Sequence, residues 1–139
     1  MPVSEYVRVI IDVGRELIDA VNRRDLDAFL ARVRPDVEWD DSEGWPGIRG
    51  VYRGHDGVRD WWERFLEVWE SVAIEIEEIR EGPDGAIFLQ VSGAFRGGVS
   101  GASAEVRAWE VLWLEDGQVA RRKLAWSRAE ALDHAGLRD

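Results

Sequence analysis

The sequence predicts an α+β fold in which helices come first and a long antiparallel or mixed sheet follows. Apolar residues recur every three or four positions over residues 7–21, a spacing typical of an amphipathic helix. From residue 72 onward, apolar residues alternate with polar ones in several runs that turn residues separate. No strand–helix–strand repeat indicates a parallel sheet, so we expect helices packed against a meander of strands.

The length and composition indicate a single domain over residues 1–139. A chain of 139 residues has the usual size of one domain and can bury roughly two-thirds of its unfolded surface. With 45% hydrophobic and 33% charged residues, it has enough apolar area to offset the entropy lost on folding. We therefore expect one domain with one core.

The charge balance excludes some partners. The chain has 28 acidic and 18 basic residues and a formal net charge of −10, which repels phosphate backbones and anionic lipids. We therefore expect no nucleic-acid partner and no membrane partner. The first residues lack the apolar run of a signal peptide, so a cytoplasmic location is the default expectation.

The residues that usually hold metal ions are scarce. The chain has no cysteine, which removes disulfides, thiolate metal sites and cysteine nucleophiles. His55 and His134 are isolated, and neither has an acidic residue at metal-ligand spacing. We expect neither a metal nor another cofactor.

Local signals predict three further helices. Asp25 is a good N-cap for a short helix that Pro35 ends. A wide apolar face over residues 58–69 predicts a helix packed on both sides, and a last short helix spans about residues 129–134. Gly14 interrupts the apolar stripe of the first helix, so we expect a strand or a ligand to approach closely there.

The strand pattern predicts a bent sheet. Val37 and Trp39 alternate with acidic residues in a short first strand. The alternation through Ile76 slips by one residue to Ile79, which is typical of a β-bulge, and a bulge bends a sheet. The other strands are expected over residues 86–96, residues 104–115 after a Gly-rich loop, and residues 118–127.

Glu110 is the most informative polar residue, because the strand around it, residues 109–114, is otherwise apolar on both faces. A carboxylate there is costly unless it is paired or protonated. A two-residue loop at Asp116-Gly117 would place Glu110 opposite Lys123, and a three-residue loop would place it opposite Arg122. We choose the second register because it groups Glu110 and Arg122 with apolar residues on one face. A plain ion pair is the simplest interpretation of either register.

Five segments, in order along the chain, resemble the SnoaL-like branch of the nuclear transport factor 2-like superfamily. They are NRRDLD at residues 22–27, PDVEW at 35–39, YRGHDG at 52–57, EDG at 115–117 and RAEALDHAGL at 128–137. The resemblance implies a cone, in which a strongly bent sheet wraps around the N-terminal helices and leaves an internal pocket. Members of the superfamily share this shape and differ in chemistry.

The resemblance also implies site residues. Glu110 stands where ketosteroid isomerases place a protonated acid that stabilises an enolate, although a guanidinium from Arg122 would favour an ionised carboxylate instead. The same enzymes place a general base near the end of the first strand, which implies Asp40 or Asp41. The alternative is that these two aspartates simply open a solvated loop.

Residues of three known chemistries are absent from this sequence. Leu17 stands where the isomerases have an oxyanion tyrosine, and Leu124 and Glu110 stand where the cyclases have an aspartate and a histidine. Trp109 stands where epoxide hydrolases of this fold have an aspartate. Steroid-type isomerisation, this cyclase chemistry and epoxide hydrolysis are therefore not expected.

Four residues are candidates for contacting a ligand, with Trp45 as a further aromatic candidate. They are Trp39, Tyr52, His55 and Trp126. Flat rings suit an apolar or aromatic small molecule, although each ring could instead pack in the core. His55 could instead belong to the start of the third helix.

Two functions remain open. The first is an enzyme that transfers a proton on a small hydrophobic carbonyl compound, with Asp40 or Asp41 as base and Glu110 or Arg122 polarising an oxygen. The second is a non-catalytic ligand-binding or accessory domain, which the missing signature residues favour.

The outer face of the sheet is expected to carry Trp109 and Trp113 beside Arg121 and Lys123. The rings could stack on these cations or be buried in a dimer. We expect a homodimer through this face, because two large exposed rings rarely stay in water.

Overall fold

The structure is a computed structural model that describes residues 5–97, 101 and 103–139. Within these residues the chain forms four α-helices: α1 (Glu5–Arg23), α2 (Leu26–Ala31), α3 (Gly54–Val68) and α4 (Arg128–His134). It also forms six strands: β1 (Val33–Asp40), β2 (Val51–Arg53), β3 (Trp69–Glu81), β4 (Ala86–Gly97), β5 (Ser103–Glu115) and β6 (Gln118–Ala125). The Gly-rich loop predicted before β5 lies largely outside the described residues.

The strands form one sheet in the order β2-β1-β6-β5-β4-β3. Neighbouring strands are antiparallel except β1 and β6, which run parallel. The sheet curls around the N-terminal helices, so the predicted α+β cone with a mixed sheet is confirmed. In the described part of the chain, no helix is both long and apolar enough to cross a membrane.

The main core lies on the concave side of the sheet, where α1 packs its apolar stripe. Ile10, Val13 and Leu17 are all buried there. A Cβ atom at Gly14 would lie 3.2 Å from Ile79 Cδ1 and 3.5 Å from Leu89 Cδ2. The close approach at Gly14 is therefore made by side chains of β3 and β4 and not by a ligand.

A bulge in β3 helps the long β3–β4 ladder to curl. Ile76 pairs with Val91, but Glu78 pairs with Gln90, so Glu77 is the extra residue. The bulge predicted from the slip between Ile76 and Ile79 is confirmed. Such a bulge increases the local twist and bends the strand, which here carries the sheet around α1.

The free edge of β3 is covered by one side chain of α1. The Asn22 side chain accepts a hydrogen bond from the Ile74 N–H at 2.8 Å and donates one to the Ile74 carbonyl at 2.9 Å. An amide side chain thus takes the place of a neighbouring strand at this position. Exposed edges invite pairing with other chains, and this contact protects part of the edge.

The three-residue loop predicted for the β5–β6 hairpin is wrong, and the pairing of Glu110 matches neither sequence alternative. Asp116 and Gly117 form a two-residue turn with φ angles of 52° and 75°, and Ala120 then lies unpaired in a bulge. Glu110 consequently lies opposite Leu124, so the predicted pairing with Arg122 is wrong. The predicted and observed partners of Glu110 are two residues apart, however, and a register shift of two residues keeps every side chain on its face of the sheet. Glu110 and Arg122 do share the concave face.

The outer face of β5 is covered by α4. Ala131 and Leu132 of this helix and its C-cap residue Ala135 belong to a second buried cluster, against which Trp109 and Trp113 pack half-buried. The expectation that both rings are exposed is wrong, because the final helix folds back over them. Arg121 lies over the Trp113 ring, 4.6 Å from its centroid, so the stacking alternative holds for that ring.

β6 is shorter than the strand predicted over residues 118–127, and this changes the position of Trp126. The strand ends at Ala125, and the Ser127 side chain caps α4 by accepting a hydrogen bond from the Glu130 N–H at 3.3 Å. Trp126 therefore falls in the connection between strand and helix, where it is 39% exposed. Because Ser127 begins the cap of α4, β6 ends earlier than the sequence predicted.

We expect Asn22→Ala to speed amide hydrogen exchange of Ile74 strongly and to lower the free energy of unfolding by about 1 kcal/mol, because one bidentate contact is lost from a solvated edge. Asn22→Asp keeps the acceptor and should retain most of the protection at Ile74. Asp19→Ala, on the same helix, is the control. Exchange at Ile74 that is unchanged in Asn22→Ala would contradict this role of Asn22.

Candidate functional site

A cavity of about 90 Å³ lies inside the cone, between α1, α3 and the concave face of the sheet. Its wall is mainly apolar. Six aromatic side chains contribute to it: Phe29, Trp39, Trp45, Trp61, Phe65 and Phe95. Among the described residues, three charged side chains reach the wall, and they are Asp41, Glu110 and Arg122.

Arg122, on β6, is the centre of the charged group and is 4% exposed. Its Nη1 donates to Asp41 Oδ1 at 2.5 Å, and its Nε donates to Glu110 Oε1 at 2.7 Å. A third donor contact, 3.3 Å long, runs from Nη1 to the Asp40 carbonyl. Burial lowers the pKa of Arg122, but Glu110 and Asp41 more than offset this effect and the pKa is raised. The guanidinium therefore stays charged.

Two tryptophan rings enclose the same guanidinium. The Arg122 Cζ atom lies 4.7 Å from the centroid of Trp39 and 5.8 Å from that of Trp61. Both separations are within the range of cation–π attraction. The rings thus replace part of the hydration that the buried cation loses.

Asp41 follows the last residue of β1 and is 3% exposed. Besides the Arg122 contact through Oδ1, its Oδ2 accepts a hydrogen bond from Trp61 Nε1 at 3.2 Å. Its backbone exchanges two hydrogen bonds with Gly50, which close the loop over residues 41–50. Gly44 packs directly on the carboxylate, where a Cβ atom would clash with it. Both oxygens of Asp41 are therefore committed to the protein.

Glu110 differs from Asp41 in this respect. Arg122 Nε and Nη2 both approach Glu110 Oε1, at 2.7 and 2.6 Å. No hydrogen-bond donor of the described residues reaches Glu110 Oε2. One carboxylate oxygen in the cavity wall is therefore available to a ligand.

Asp40 does not belong to the cavity wall. It lies one residue before Asp41, where its Oδ2 contacts Lys123 Nζ at 3.2 Å and its Oδ1 accepts from the Ser42 N–H at 3.0 Å. Burial raises the pKa of Asp40, but the hydrogen bonds from Ser42 and Lys123 outweigh this effect and leave the pKa lowered. Of the two aspartates that the sequence offered as bases, Asp41 alone lines the cavity.

Of the four residues predicted to contact a ligand, only Trp39 lines the cavity. Trp39 lines the cavity, and so does Trp45. Tyr52 is buried outside the lining and donates from its hydroxyl to the Ile48 carbonyl. His55 Nε2 lies 2.7 Å from the Val33 carbonyl, which ties the start of α3 to β1.

Trp126 lies on the surface next to the cavity wall. Its ring packs edge-on against Trp45, with centroids 5.4 Å apart, and its Nε1 donates to the Glu43 carbonyl. Trp45 in turn packs edge-on against Trp69 at 5.3 Å. These rings hold the loop over residues 41–50 against the body of the protein.

Trp61 is a site residue that the sequence did not predict: its N–H donates to Asp41 and its ring lies near Arg122. The available signal was the wide apolar face of α3, which predicted packing on both sides. Phe29, Phe65 and Phe95 were missed too, because apolar residues of a core and of a cavity follow the same pattern.

The charged group is not arranged as a metal site. Among the residues that the structure describes, no three His, Asp or Glu side chains converge closely enough to hold a metal ion. The arrangement has space for a small molecule, and Glu110 in its wall has one carboxylate oxygen that Arg122 does not contact.

Solved structures share this fold over most of the chain. A nuclear transport factor 2-like protein of unknown function from Burkholderia pseudomallei K96243 is 24% identical, with a TM-score of 0.75 over 91% of this chain and 97% of that one. A protein with a ketosteroid isomerase-like fold from Catenulispora acidiphila DSM 44928 is 14% identical, with a TM-score of 0.71 over 91% and 93% of the two chains.

A third similar structure is Rv0760c from Mycobacterium tuberculosis, which is 14% identical, with a TM-score of 0.72 over 87% of this chain and 95% of that one. At these identities the likeness shows the fold. No curated protein matches the chain. Residues 14–122 match the family model described as SnoaL-like domain, and the chain therefore belongs to the SnoaL-like domain family.

Proposed function

We propose that this protein binds a small, mostly apolar molecule in the cavity of the cone, with Glu110 as its polar anchor. The observation that carries the proposal is an aromatic-rich cavity in whose wall Glu110, with its side chain 13% exposed, has one carboxylate oxygen that no donor of the described residues reaches. Ligand sites are commonly mainly apolar, with a few polar groups that orient the ligand. Glu110 Oε2 is such a group.

The size of the cavity favours a small ligand. Its volume of about 90 Å³ is below the roughly 150 Å³ of an engineered cavity that holds benzene. The Catenulispora acidiphila neighbour was solved in complex with trimethylamine, and the Mycobacterium tuberculosis neighbour in complex with estradiol-17β-hemisuccinate. The volume supports a ligand nearer in size to trimethylamine. A polycyclic ligand would require a larger cavity than this one.

Proton transfer is a second candidate function, supported by the free oxygen of Glu110. A general base must reach the proton that it abstracts, and Glu110 lines the cavity with only its Oε1 engaged by Arg122. Arg122 donates to both carboxylates and to the Asp40 carbonyl, so we assign it the role of positioning Glu110. We therefore assign the role of base to Glu110 and not to Asp40 or Asp41.

A non-catalytic binding or accessory role is the alternative, and the binding proposal holds in either case. Homodimerisation through the outer face of the sheet stays a prediction, although α4 already covers Trp109 and Trp113 on that face. Cytoplasmic location also stays a prediction.

Filling the cavity tests the binding proposal. We expect tert-butanol, which has five non-hydrogen atoms, to shift the indole N–H signals of Trp39 and Trp61 in a ¹⁵N NMR titration. Ala108→Met places a longer side chain in the wall and should weaken this binding about tenfold or more. Ala94→Met, at an exposed position of β4, is the matched control and should bind as the wild type does.

Thermal unfolding of both variants separates loss of the cavity from loss of the fold. If tert-butanol shifts no cavity indole in the wild type, or shifts the same signals equally in Ala108→Met, the cavity is not a binding site and the proposal fails.

Deuterium exchange tests proton transfer. Acetone has four non-hydrogen atoms and acidic protons next to its carbonyl, and we expect the protein to speed exchange of these protons in D₂O. Glu110→Gln should lower the rate of protein-catalysed exchange by about 100-fold or more, which is the usual contribution of a general base. Asp40→Asn should leave it nearly unchanged, because Asp40 lies against Lys123 outside the cavity. Loss of exchange in Asp40→Asn instead would contradict the assignment, and no exchange in the wild type would remove this second function while leaving binding intact.

A further inference from the structure

We propose that the ligand of this cavity is a small organic cation, such as an alkylammonium ion. The inference rests on the proposed function, because it presupposes that the cavity binds a molecule, and it adds the chemical class. Three features carry it: the balance of charge in the wall, the position of the free carboxylate oxygen, and the aromatic lining.

The wall holds one cation against two carboxylates. Arg122 forms ion pairs with both Asp41 and Glu110, so one negative formal charge is left over. The side chains of the three residues are between 5% and 13% exposed. A buried charge without a partner is costly, and in a mostly apolar enclosure that cost is large. A cationic ligand would remove it.

The excess charge has a definite position. Asp41 uses Oδ1 for Arg122 and Oδ2 for the Trp61 N–H. Glu110 uses Oε1 for Arg122, and none of the described donors reaches its Oε2. An ammonium N–H directed at Glu110 Oε2 would complete the hydrogen bonding of the trio, and charge-assisted hydrogen bonds of this kind are strong.

The aromatic lining suits a cation in the remaining space. Trp39 and Trp61 already stabilise the guanidinium of Arg122, which shows that the rings of this cavity accept positive charge. Trp45, Phe65 and Phe95 line the same cavity and lie outside the cation–π contacts that Arg122 makes. Walls of aromatic rings are the usual recognition element for alkylated ammonium groups.

The volume limits the cation to a compact one. Since a cavity of roughly 150 Å³ holds the six carbon atoms of benzene, about 90 Å³ corresponds to roughly four non-hydrogen atoms. A tertiary or branched alkylammonium ion has this size and an apolar surface. The competing case is a neutral ligand, bound while a proton removes the excess charge of the wall. The experiment below distinguishes a cationic from a neutral ligand.

The experiment compares tert-butylammonium with tert-butanol, which have the same shape and differ in charge. Both are titrated into ¹⁵N-labelled protein at 0.15 M NaCl, and the dissociation constants are taken from the indole signals of Trp39 and Trp61. We expect the cation to bind about tenfold more tightly than the alcohol, and Glu110→Gln to abolish this preference while still binding the alcohol.

Glu105→Gln is the matched control, because Glu105 is an exposed glutamate on the same strand. It removes the same charge from an acidic protein and should keep the tenfold preference. If the alcohol binds as tightly as the cation or more tightly, or if Glu105→Gln lowers the preference as much as Glu110→Gln does, the cation inference is overturned and the binding proposal stands. If neither compound shifts the cavity indoles, both the inference and the binding proposal fail.

Discussion

The buried guanidinium of Arg122 is the contact on which the rest of the site depends. It joins Asp41, at the end of β1, to Glu110, on β5, and Trp61 of α3 completes the group through Asp41. Removing one partner of a buried ion pair typically costs about 3–5 kcal/mol, because the other charge stays buried and unpaired. The cavity wall and the packing of three strands and a helix are therefore maintained by the same few hydrogen bonds.

The fold was predictable because its determinants are local. The bulge at Glu77 follows from a one-residue slip in an alternating pattern, and Asp25 caps α2 as its position before an apolar run predicts. The shared face of Glu110 and Arg122 was also predictable, although their register was not. A strand has a period of two, so the apolar pattern determines the face of a residue before it determines its partner.

The remainder depended on contacts that no local pattern encodes. Asp40 and Asp41 are adjacent and chemically alike, yet Asp40, the last residue of β1, pairs with Lys123, whereas Asp41, just beyond the strand, lines the cavity. The unpaired Ala120 moves the hairpin register without any glycine or proline to indicate it. The covering of Trp109 by α4 depends on how a helix 20 residues away in sequence folds back, which the composition of β5 cannot show.

The residues that depart from known chemistries of the fold have a common consequence in the structure. Leu17 and Leu124 line the cavity, so polar groups are replaced there by apolar ones, and Trp109 lies on the opposite face of the sheet. Because fewer polar groups line the cavity, the excess negative charge of Asp41, Glu110 and Arg122 lies in an environment of lower polarity. If the cavity binds a ligand as we propose, the apolar residues at these positions increase the influence of Glu110, and charge is the property by which the cavity would select that ligand.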